Sequence, residues 1–298
     1  MFLVDYPLQN WAFEIFGQRI YWYAIFILTG ALLAFALGFH FGKKTGISFD
    51  TAFEGFTWGL IVGVLGARIY YVLFDPNGSI STIWEFFNIR GGGLAIHGAV
   101  IATAIYAPLY CKLKKINILV VIECVAPGFL LAQAVGRWGN FFNQEAHGGL
   151  VPGATLAEQR AYLEGLHLPE FIINQMLIQG GSSTAPVTGY YHPTFLYESL
   201  LNILGLIIYM VARRFIKKLY LGDSVAFYLV WYGGVRFFIE GMRTDPLYIG
   251  DIKVARLISI LFIIVGVAIF VLRRVFKFAL ISNYDTFYKA RDIEVSNS

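Results

Sequence analysis

The sequence predicts an all-α, polytopic integral membrane protein with seven transmembrane helices, an outside N-terminus and a cytoplasmic C-terminus. Three observations predict it. The chain is 57% hydrophobic and 14% charged, against roughly 25% charged in a soluble domain, so the water-soluble classes are excluded. Its apolar residues fall in blocks of about 20, the length that crosses a hydrocarbon core. Its basic residues cluster on alternate sides of those blocks.

The predicted spans run approximately 19–40, 52–74, 92–111, 117–136, 193–212, 223–242 and 252–272. Residues Met1 to Gly17 have no basic n-region and carry Asp5 and Glu14, so the first span is expected to be retained and not cleaved as a signal peptide. Lys43 and Lys44 follow the first span, and Lys112, Lys114 and Lys115 follow the third. Arg213, Arg214, Lys217 and Lys218 follow the fifth, and Arg273, Arg274 and Lys277 follow the seventh. By the positive-inside rule these four clusters are cytoplasmic. Gly55, Gly59 and Gly63 repeat at four-residue spacing in the second span, a small-residue face for close helix packing.

No domain boundary or internal repeat interrupts the chain, so residues 1–298 read as a single membrane domain. Residues of about 278–298 form a polar cytoplasmic tail. The connection from about 137 to 192 is external and long enough to be functional. It opens on a Gly-Asn-rich stretch and continues through two short amphipathic helices, Ala154–Gly165 and Pro169–Gln179. Their apolar residues, Phe171, Ile172, Ile173, Met176 and Leu177, are expected either to lie on the membrane surface or to cap the bundle. Cys111 and Cys124 fit no metal or CxxC spacing and read as reduced structural thiols. No metal site, cofactor or nucleic-acid partner is expected.

Six ionisable residues, Arg68, His97, Arg137, Glu198, Arg236 and Glu240, lie in or beside the apolar segments. On this topology they share the outer half of the bilayer. Each costs roughly 2.5–3.5 kcal/mol there, which marks a functional chamber. Tyr228, Tyr232, Arg236 and Glu240 are four apart and stack on one helix face. An Arg236–Glu240 pair alone stabilises an isolated helix by only about 0.2–0.5 kcal/mol, too little to explain two intramembrane charges. Arg137 stands beside Gly136, Gly139, Asn140 and Asn143, a guanidinium fork among exposed N–H donors that suits a phosphate. The plain alternative is an arginine snorkelling to lipid headgroups. His97 follows Gly91-Gly92-Gly93, one to two turns inside the third span. Tyr23, Glu145 and Glu198 reach the same level, and His192 reads as structural.

These residues carry a resemblance. The segment Gly136-Arg137-Trp138-Gly139-Asn140-Phe141-Phe142-Asn143-Gln144-Glu145-Ala146-His147-Gly148 matches G-R-x-G-N-F-x-N-x-E-x-x-G. That is the signature of the bacterial phosphatidylglycerol–prolipoprotein diacylglyceryl transferases. Trp22-Tyr23, Gly92-Gly93 with His97-Gly98, His192-Pro193 with Tyr197-Glu198, and Tyr232-Gly233 with Arg236 and Glu240 agree with it. The resemblance covers nearly all seven spans, with no motif in about 150–188.

The resemblance implies a bacterial cytoplasmic (inner) membrane enzyme with its active site towards the outer face. Its partners would be phosphatidylglycerol, lipobox-containing prolipoproteins and the lipid bilayer. It would transfer an sn-1,2-diacylglyceryl group to a lipobox cysteine thiol, forming a thioether and releasing glycerol 1-phosphate. On this reading Arg137 and Arg236 bind the phosphate, and Asn140, Asn143 and Gly148 shape its cradle. Tyr23 and Tyr232 bind or orient the headgroup. His97 is the base or thiol-activating group, Glu240 orients Arg236, and Glu145 and Glu198 position their neighbours. Two arginines should favour a net anionic lipid. The alternative is a membrane transporter or lipid flippase with an outer-facing anion site, although the charges are not at the midplane and no repeat is visible.

Overall fold

The computed structural model describes residues 6–75, 82–87, 92–216, 221–244, 248–249 and 252–275. The expected C-terminal tail, Gly91, Lys217, Lys218 and Lys277 lie outside these residues. The chain opens on an antiparallel hairpin, β1 (Trp11–Ile15) and β2 (Gln18–Tyr21). Its turn places Phe16 and Gly17 at φ 49° and 74°, the left-handed pair whose twist suits a two-residue hairpin loop. The helices and remaining strands follow as α1 (Trp22–Gly42), α2 (Phe49–Phe74), α3 (Ile83–Phe87), α4 (Ile96–Leu113), α5 (Ile118–Asn143), α6 (Leu156–Gly165), α7 (Glu170–Gln175), β3 (Leu177–Ile178), β4 (Gly189–Tyr190), α8 (Thr194–Phe215), α9 (Asp223–Met242), β5 (Tyr248–Ile249), β6 (Ile252–Lys253) and α10 (Val254–Val275).

Among the described residues, six helices are long and apolar enough to cross a membrane: α1, α2, α4, α5, α8 and α10. The protein is therefore a mostly helical, polytopic membrane protein. The sixth predicted span does form a helix, α9, but Asp223, Arg236 and Glu240 lower its apolarity and it is not among the six. Large apolar side chains face outward, as a lipid solvent allows: Leu257, Leu261 and Ile264 of α10 are 55%, 55% and 59% exposed.

Three expected boundaries move. The first helix starts at Trp22 and not at 19, because 18–21 pair as a strand. The third starts at Ile96 and not at 92, because Gly92 and Gly93 have φ of 92° and 74°. The fourth runs to Asn143 and not to 136, so 137–143 are the last two turns of a helix and the loop begins at 144. Pro169 is the N-cap of α7, and that helix stops at Gln175, where the chain turns into β3.

The chain divides into two compact units, Phe39–Cys124 and Met1–Gly38 with Val125–Ser298. In the first, α2 packs antiparallel on α4. Gly55, Gly59 and Gly63 face Tyr110, Tyr106 and Thr103, so the four-residue glycine repeat is a helix–helix seam. One turn further, Gly66 and Gly98 meet backbone to backbone, and no side chain would fit at either.

In the larger unit α1 meets α5 through Gly30 against Ala132 and Gly128 against Ala34. Ser199 Oγ of α8 donates to the Ala134 carbonyl of α5 at 2.8 Å, and Trp231 Nε1 of α9 donates to the Leu201 carbonyl of α8 at 3.0 Å. Gly233 and Gly266 bring α9 and α10 together, and Arg274 holds Asp223 with two bonds of 2.9 and 3.1 Å.

The segment between α5 and α8 is a folded cap. Thr155 and Glu158 form a capping box on α6, which satisfies two of its free N–H groups. Leu163, Ile172, Ile173 and Met176 are buried in one cluster with Phe141, Tyr191 and Phe195. Of the five apolar residues left open between membrane surface and cap, only Phe171 stays well exposed, at 44%. Gln144 Nε2 donates to the carbonyls of Gln175 and Leu177, and Gln175 Nε2 donates to that of Phe141, which ties the cap to the end of α5.

Candidate active site

Helix α5 continues through Gly136 and Gly139, and of the two only Gly139 lies against a neighbour. A Cβ on Gly139 would come within 2.6 Å of the Tyr23 ring and 3.1 Å of its Cα. The missing side chain lets the first turn of α1 approach. Trp22 stacks on Phe142 at 4.8 Å between ring centroids. Arg137, Asn140 and Tyr23 are thereby gathered on one side of α5.

Three helices then converge on one carboxylate. Glu198 of α8 is 1% exposed. Arg137 Nη2 donates to its Oε1 at 2.7 Å, and Arg236 Nη1 donates to its Oε2 at 3.4 Å. Arg236 Nη2 lies 2.7 Å from Glu240 Oε2, an ion pair without hydrogen-bond alignment. The expected stacking on α9 is present: Tyr228 and Tyr232 are parallel within 5° at 5.6 Å, and Arg236 and Glu240 continue the same face. Tyr232 lies within the electrostatic reach of Glu198, Arg137 and Arg236. One turn further along, Gln133 Nε2 donates to Tyr228 Oη at 2.9 Å.

A second carboxylate organises the end of α5. Asn140 Nδ2 and Asn143 Nδ2 donate to Glu145 Oε1 at 2.9 and 3.2 Å. Asn140 Oδ1 in turn accepts from Arg137 Nη1 at 3.3 Å. A guanidinium only donates and a carboxylate only accepts, so the amide between them has one consistent orientation. Gln144 and Ala146, on either side of Glu145, have φ of 51° and 56°. Bulky side chains rarely hold that conformation, and it clusters at sites where the surrounding fold fixes it. Gly148 donates its N–H to the His192 carbonyl at 2.9 Å and bridges Arg243. A Cβ there would meet His192, Thr194 and the Met242 carbonyl. Gly148 therefore serves as a joint between the start of α8 and the end of α9.

Of the six charges expected at one level, Arg137, Glu198, Arg236 and Glu240 meet, joined by Tyr23, Tyr232, Asn140, Asn143 and Glu145. The other two belong to the smaller unit. Arg68 is buried and donates to the carbonyls of Glu85, Phe86, Gly92 and Gly93 at 2.6 to 3.0 Å. It is a clamp on the chain around α3. His97 is the second residue of α4, not one to two turns inside, and its exposed ring lies 5.9 Å from that of Tyr70.

Both arginines were expected to bind a phosphate, with Glu240 orienting Arg236. Each meets carboxylates: Arg137 and Arg236 share Glu198, and Arg236 also meets Glu240. Each guanidinium has five N–H donors, so donors remain for a further anion. The central role of Glu198 is what residue spacing left undetermined. Its sequence signals are its charge inside an apolar segment and its place in the Tyr197-Glu198 pair after His192-Pro193. Among the described residues no group of His, Cys, Asp and Glu forms a metal-binding cluster.

The family model for prolipoprotein diacylglyceryl transferase matches residues 10–272. A protein of Listeria innocua named phosphatidylglycerol–prolipoprotein diacylglyceryl transferase is 40% identical over 269 residues, covering 90% of this chain and 91% of its own. Proteins of the same name, from Clostridium perfringens (numbered 1) and Staphylococcus saprophyticus, are 43% and 42% identical. They cover 86% and 89% of this chain, and 91% and 89% of their own. A match over nearly the whole chain, across the span that holds the arginine–carboxylate cluster, shows that the chain belongs to the prolipoprotein diacylglyceryl transferase family.

Proposed function

We propose that this protein transfers the sn-1,2-diacylglyceryl group of phosphatidylglycerol to the lipobox cysteine thiol of prolipoproteins. A thioether forms and glycerol 1-phosphate leaves. The observation that carries the reading is the convergence of Arg137, from the signature segment, and Arg236 on Glu198, all within the residues that the family model matches.

The sulfur attacks the glyceryl carbon bonded to the phosphate oxygen. The S–C bond forms as the C–O bond breaks, and the bonding pair leaves on the phosphate. The thiol, with an ordinary pKa near 8.5, must give up its proton first. Charge then develops on the phosphate oxygens, and fixed guanidinium donors in a water-poor site stabilise it. Arg137 and Arg236 supply those donors. Glu198 sets the separation of the two forks, and Glu240 holds the second. Asn140, Asn143 and Glu145 form a hydrogen-bonded wall that fixes the free edge of Arg137. Tyr23 and Tyr232 flank the forks and orient the headgroup, and Gly148 keeps the ends of α8 and α9 together. His97 is assigned as the thiol-activating base. Arginine keeps its proton at all relevant pH values and is excluded from that role.

We place this site towards the outer face of the bacterial cytoplasmic membrane, with seven spans, the N-terminus outside and the C-terminus inside. The alternating basic clusters support this orientation. The test is a mass-spectrometric transfer assay with purified protein, phosphatidylglycerol and a lipobox peptide with a free cysteine. The expected result is a diacylglyceryl mass gain on the cysteine that Arg137→Ala abolishes and His97→Ala reduces. A folded wild-type protein that leaves the peptide unmodified would refute the assignment.

A further inference from the structure

One turn deeper than the arginine–carboxylate cluster lie two amide side chains whose hydrogen bonds the protein does not complete. Asn202 of α8 is fully buried, and among the described residues neither its Oδ1 nor its Nδ2 has a hydrogen-bond partner. Gln133 of α5 donates to Tyr228 through Nε2, but its buried Oε1 has no partner there. Turning either amide over still leaves an unpartnered atom in both residues. A buried polar group in that condition is costly. The two residues share one level. Gln133 stands four before Arg137 on α5, and Asn202 four after Glu198 on α8, so each lies under one member of that ion pair. Four residues of helix rise about 6 Å. Ser199 Oγ donates to the Ala134 carbonyl at the same level, so α5 and α8 meet there through small side chains. Tyr228 brings α9 to it and lies within the electrostatic reach of Glu198. Asn202 stands in the buried stripe of α8 that also holds Glu198, Ser199 and Gly205.

We infer that Asn202 and Gln133 hold buried water against Glu198, and through it fix the carboxylate that sets the two arginine forks. The ligand at this level must be neutral. A cation would meet Arg137 and Arg236 one turn away, and an anion would meet Glu198. It must also both donate and accept, as water does. One water has two hydrogens, too few for the unpartnered oxygens of Asn202 and Gln133 and a lone pair of Glu198. Two waters bonded to each other have three to give, one for each acceptor, and one of them accepts from Asn202 Nδ2. Each water then makes about three hydrogen bonds, the usual number in a protein interior. Glu198 has room for this contact, because Arg137 and Arg236 take one bond on each of its oxygens and a carboxylate accepts about four. Asn202 and Gln133 are positioning residues: they touch no reacting atom and act through Glu198. That role in turnover rests on the transferase reading; the water does not.

The test pairs a crystal structure of the full chain, at a resolution that shows ordered water, with the transfer assay on Asn202→Leu, Gln133→Met and the double variant. Density bridging Asn202, Gln133 and Glu198 is expected in wild type and not in Asn202→Leu. Each single variant should lower kcat roughly tenfold, the loss of one hydrogen bond to a charged group, with KM for phosphatidylglycerol unchanged. The double variant should lose no more than the worse single one, because either change already releases the shared water. The melting temperature of Asn202→Leu should hold or rise, since an apolar side chain of similar size needs no partner. A merely structural pair would shift melting and leave kcat alone, so unchanged kcat in both single variants would overturn the positioning role. Losses that multiply in the double variant, or wild-type density without a bridging water, would overturn the shared site. If the water is present and wild type transfers nothing, the water stands and the transferase reading falls.

Discussion

Replacing Arg236 with lysine keeps the positive charge and removes the fork, so it separates charge from geometry. The guanidinium meets two carboxylates through two nitrogens: Nη1 is 3.4 Å from Glu198 and Nη2 is 2.7 Å from Glu240. A lysine has one nitrogen and cannot keep both contacts. The shorter pair with Glu240, four residues along the same helix, is the one to survive. The link to Glu198 is lost, together with the remaining donors offered to a phosphate. One hydrogen bond to a charged group contributes about 1.5–3 kcal/mol. The side chains are 17% and 1% exposed, so solvent screening removes little, but the long Glu198 contact argues for the lower half of that range. At 1.36 kcal/mol per decade, the expected loss in kcat/KM is roughly ten- to a hundredfold. The assay is initial-rate transfer to a lipobox peptide at varied phosphatidylglycerol, with thermal unfolding measured in parallel. A kcat/KM within about threefold of wild type, at unchanged stability, would show that a point charge suffices and would sink the geometric argument.

Other substitutions probe separate parts of the fold. Glu198→Gln keeps the shape but leaves two partly buried guanidiniums without their shared anion; breaking such a pair costs about 3–5 kcal/mol, so a large drop in melting temperature should accompany loss of transfer, and an unchanged melting curve would contradict the bridging role. Gly139→Ala forces a methyl group into Tyr23; an overpacking cost of roughly 1–3 kcal/mol should lower both stability and transfer, whereas Gly136→Ala, with nothing within 4 Å, should do neither. Arg160→Ala removes contacts to Glu164, Asn174 and Glu170 on the exposed cap; the expected loss is under about 1 kcal/mol, read as faster proteolysis of the cap with transfer retained. Burial lowers the pKa of His192. Its folded-state pKa then lies below the unfolded one, and the unfolded chain binds more protons as pH falls. Stability should therefore decline below about pH 6.5 and level off once the folded-state pKa is passed, and His192→Gln should flatten that decline.

The elements most legible in the sequence are those whose signal is local. Blocks of apolar residues define α2, α8 and α10 to within a turn, because length and apolarity alone decide a lipid-facing helix. The glycines at 55, 59 and 63 reveal a packing face because a four-residue repeat is itself a helix face. Tyr228, Tyr232, Arg236 and Glu240 fall on one stripe for the same reason. What stays hidden is set by contacts distant in sequence. Gly136 and Gly139 read as loop because glycine weakens an isolated helix, yet Gly139 is needed where Tyr23 packs. The hairpin Trp11–Tyr21 is masked because its apolar residues merge into those of α1. Ile172, Ile173 and Met176 have the composition of a membrane-surface stretch but are buried by Phe141 and Tyr191. Arg68 and Arg137 look alike as intramembrane arginines. One meets backbone carbonyls and the other a carboxylate, and the Gly-Asn-rich neighbours of Arg137 do not reveal that the carboxylate comes from α8.

The balance of charge in the cluster changes what donor selectivity should depend on. Two uncompensated arginines would attract an anionic lipid over a distance and repel the ammonium of a zwitterionic one. With Glu198 and Glu240 in contact, the two positive charges face two negative ones, and Glu145 stands one turn away on the Asn140 side. The far field nearly cancels, and what remains is directional: the unused N–H donors of the two forks. Charge balance is also what lets four ionised groups persist between apolar helices, where an unpaired one is costly. Preference for phosphatidylglycerol over phosphatidylethanolamine should then survive high salt, because hydrogen-bond geometry is not screened as long-range attraction is. The check is a competition assay with both lipids in mixed micelles from low ionic strength to about 0.5 M salt. A preference that collapses across that range would mean that net charge, and not the arrangement of donors around Glu198, selects the donor.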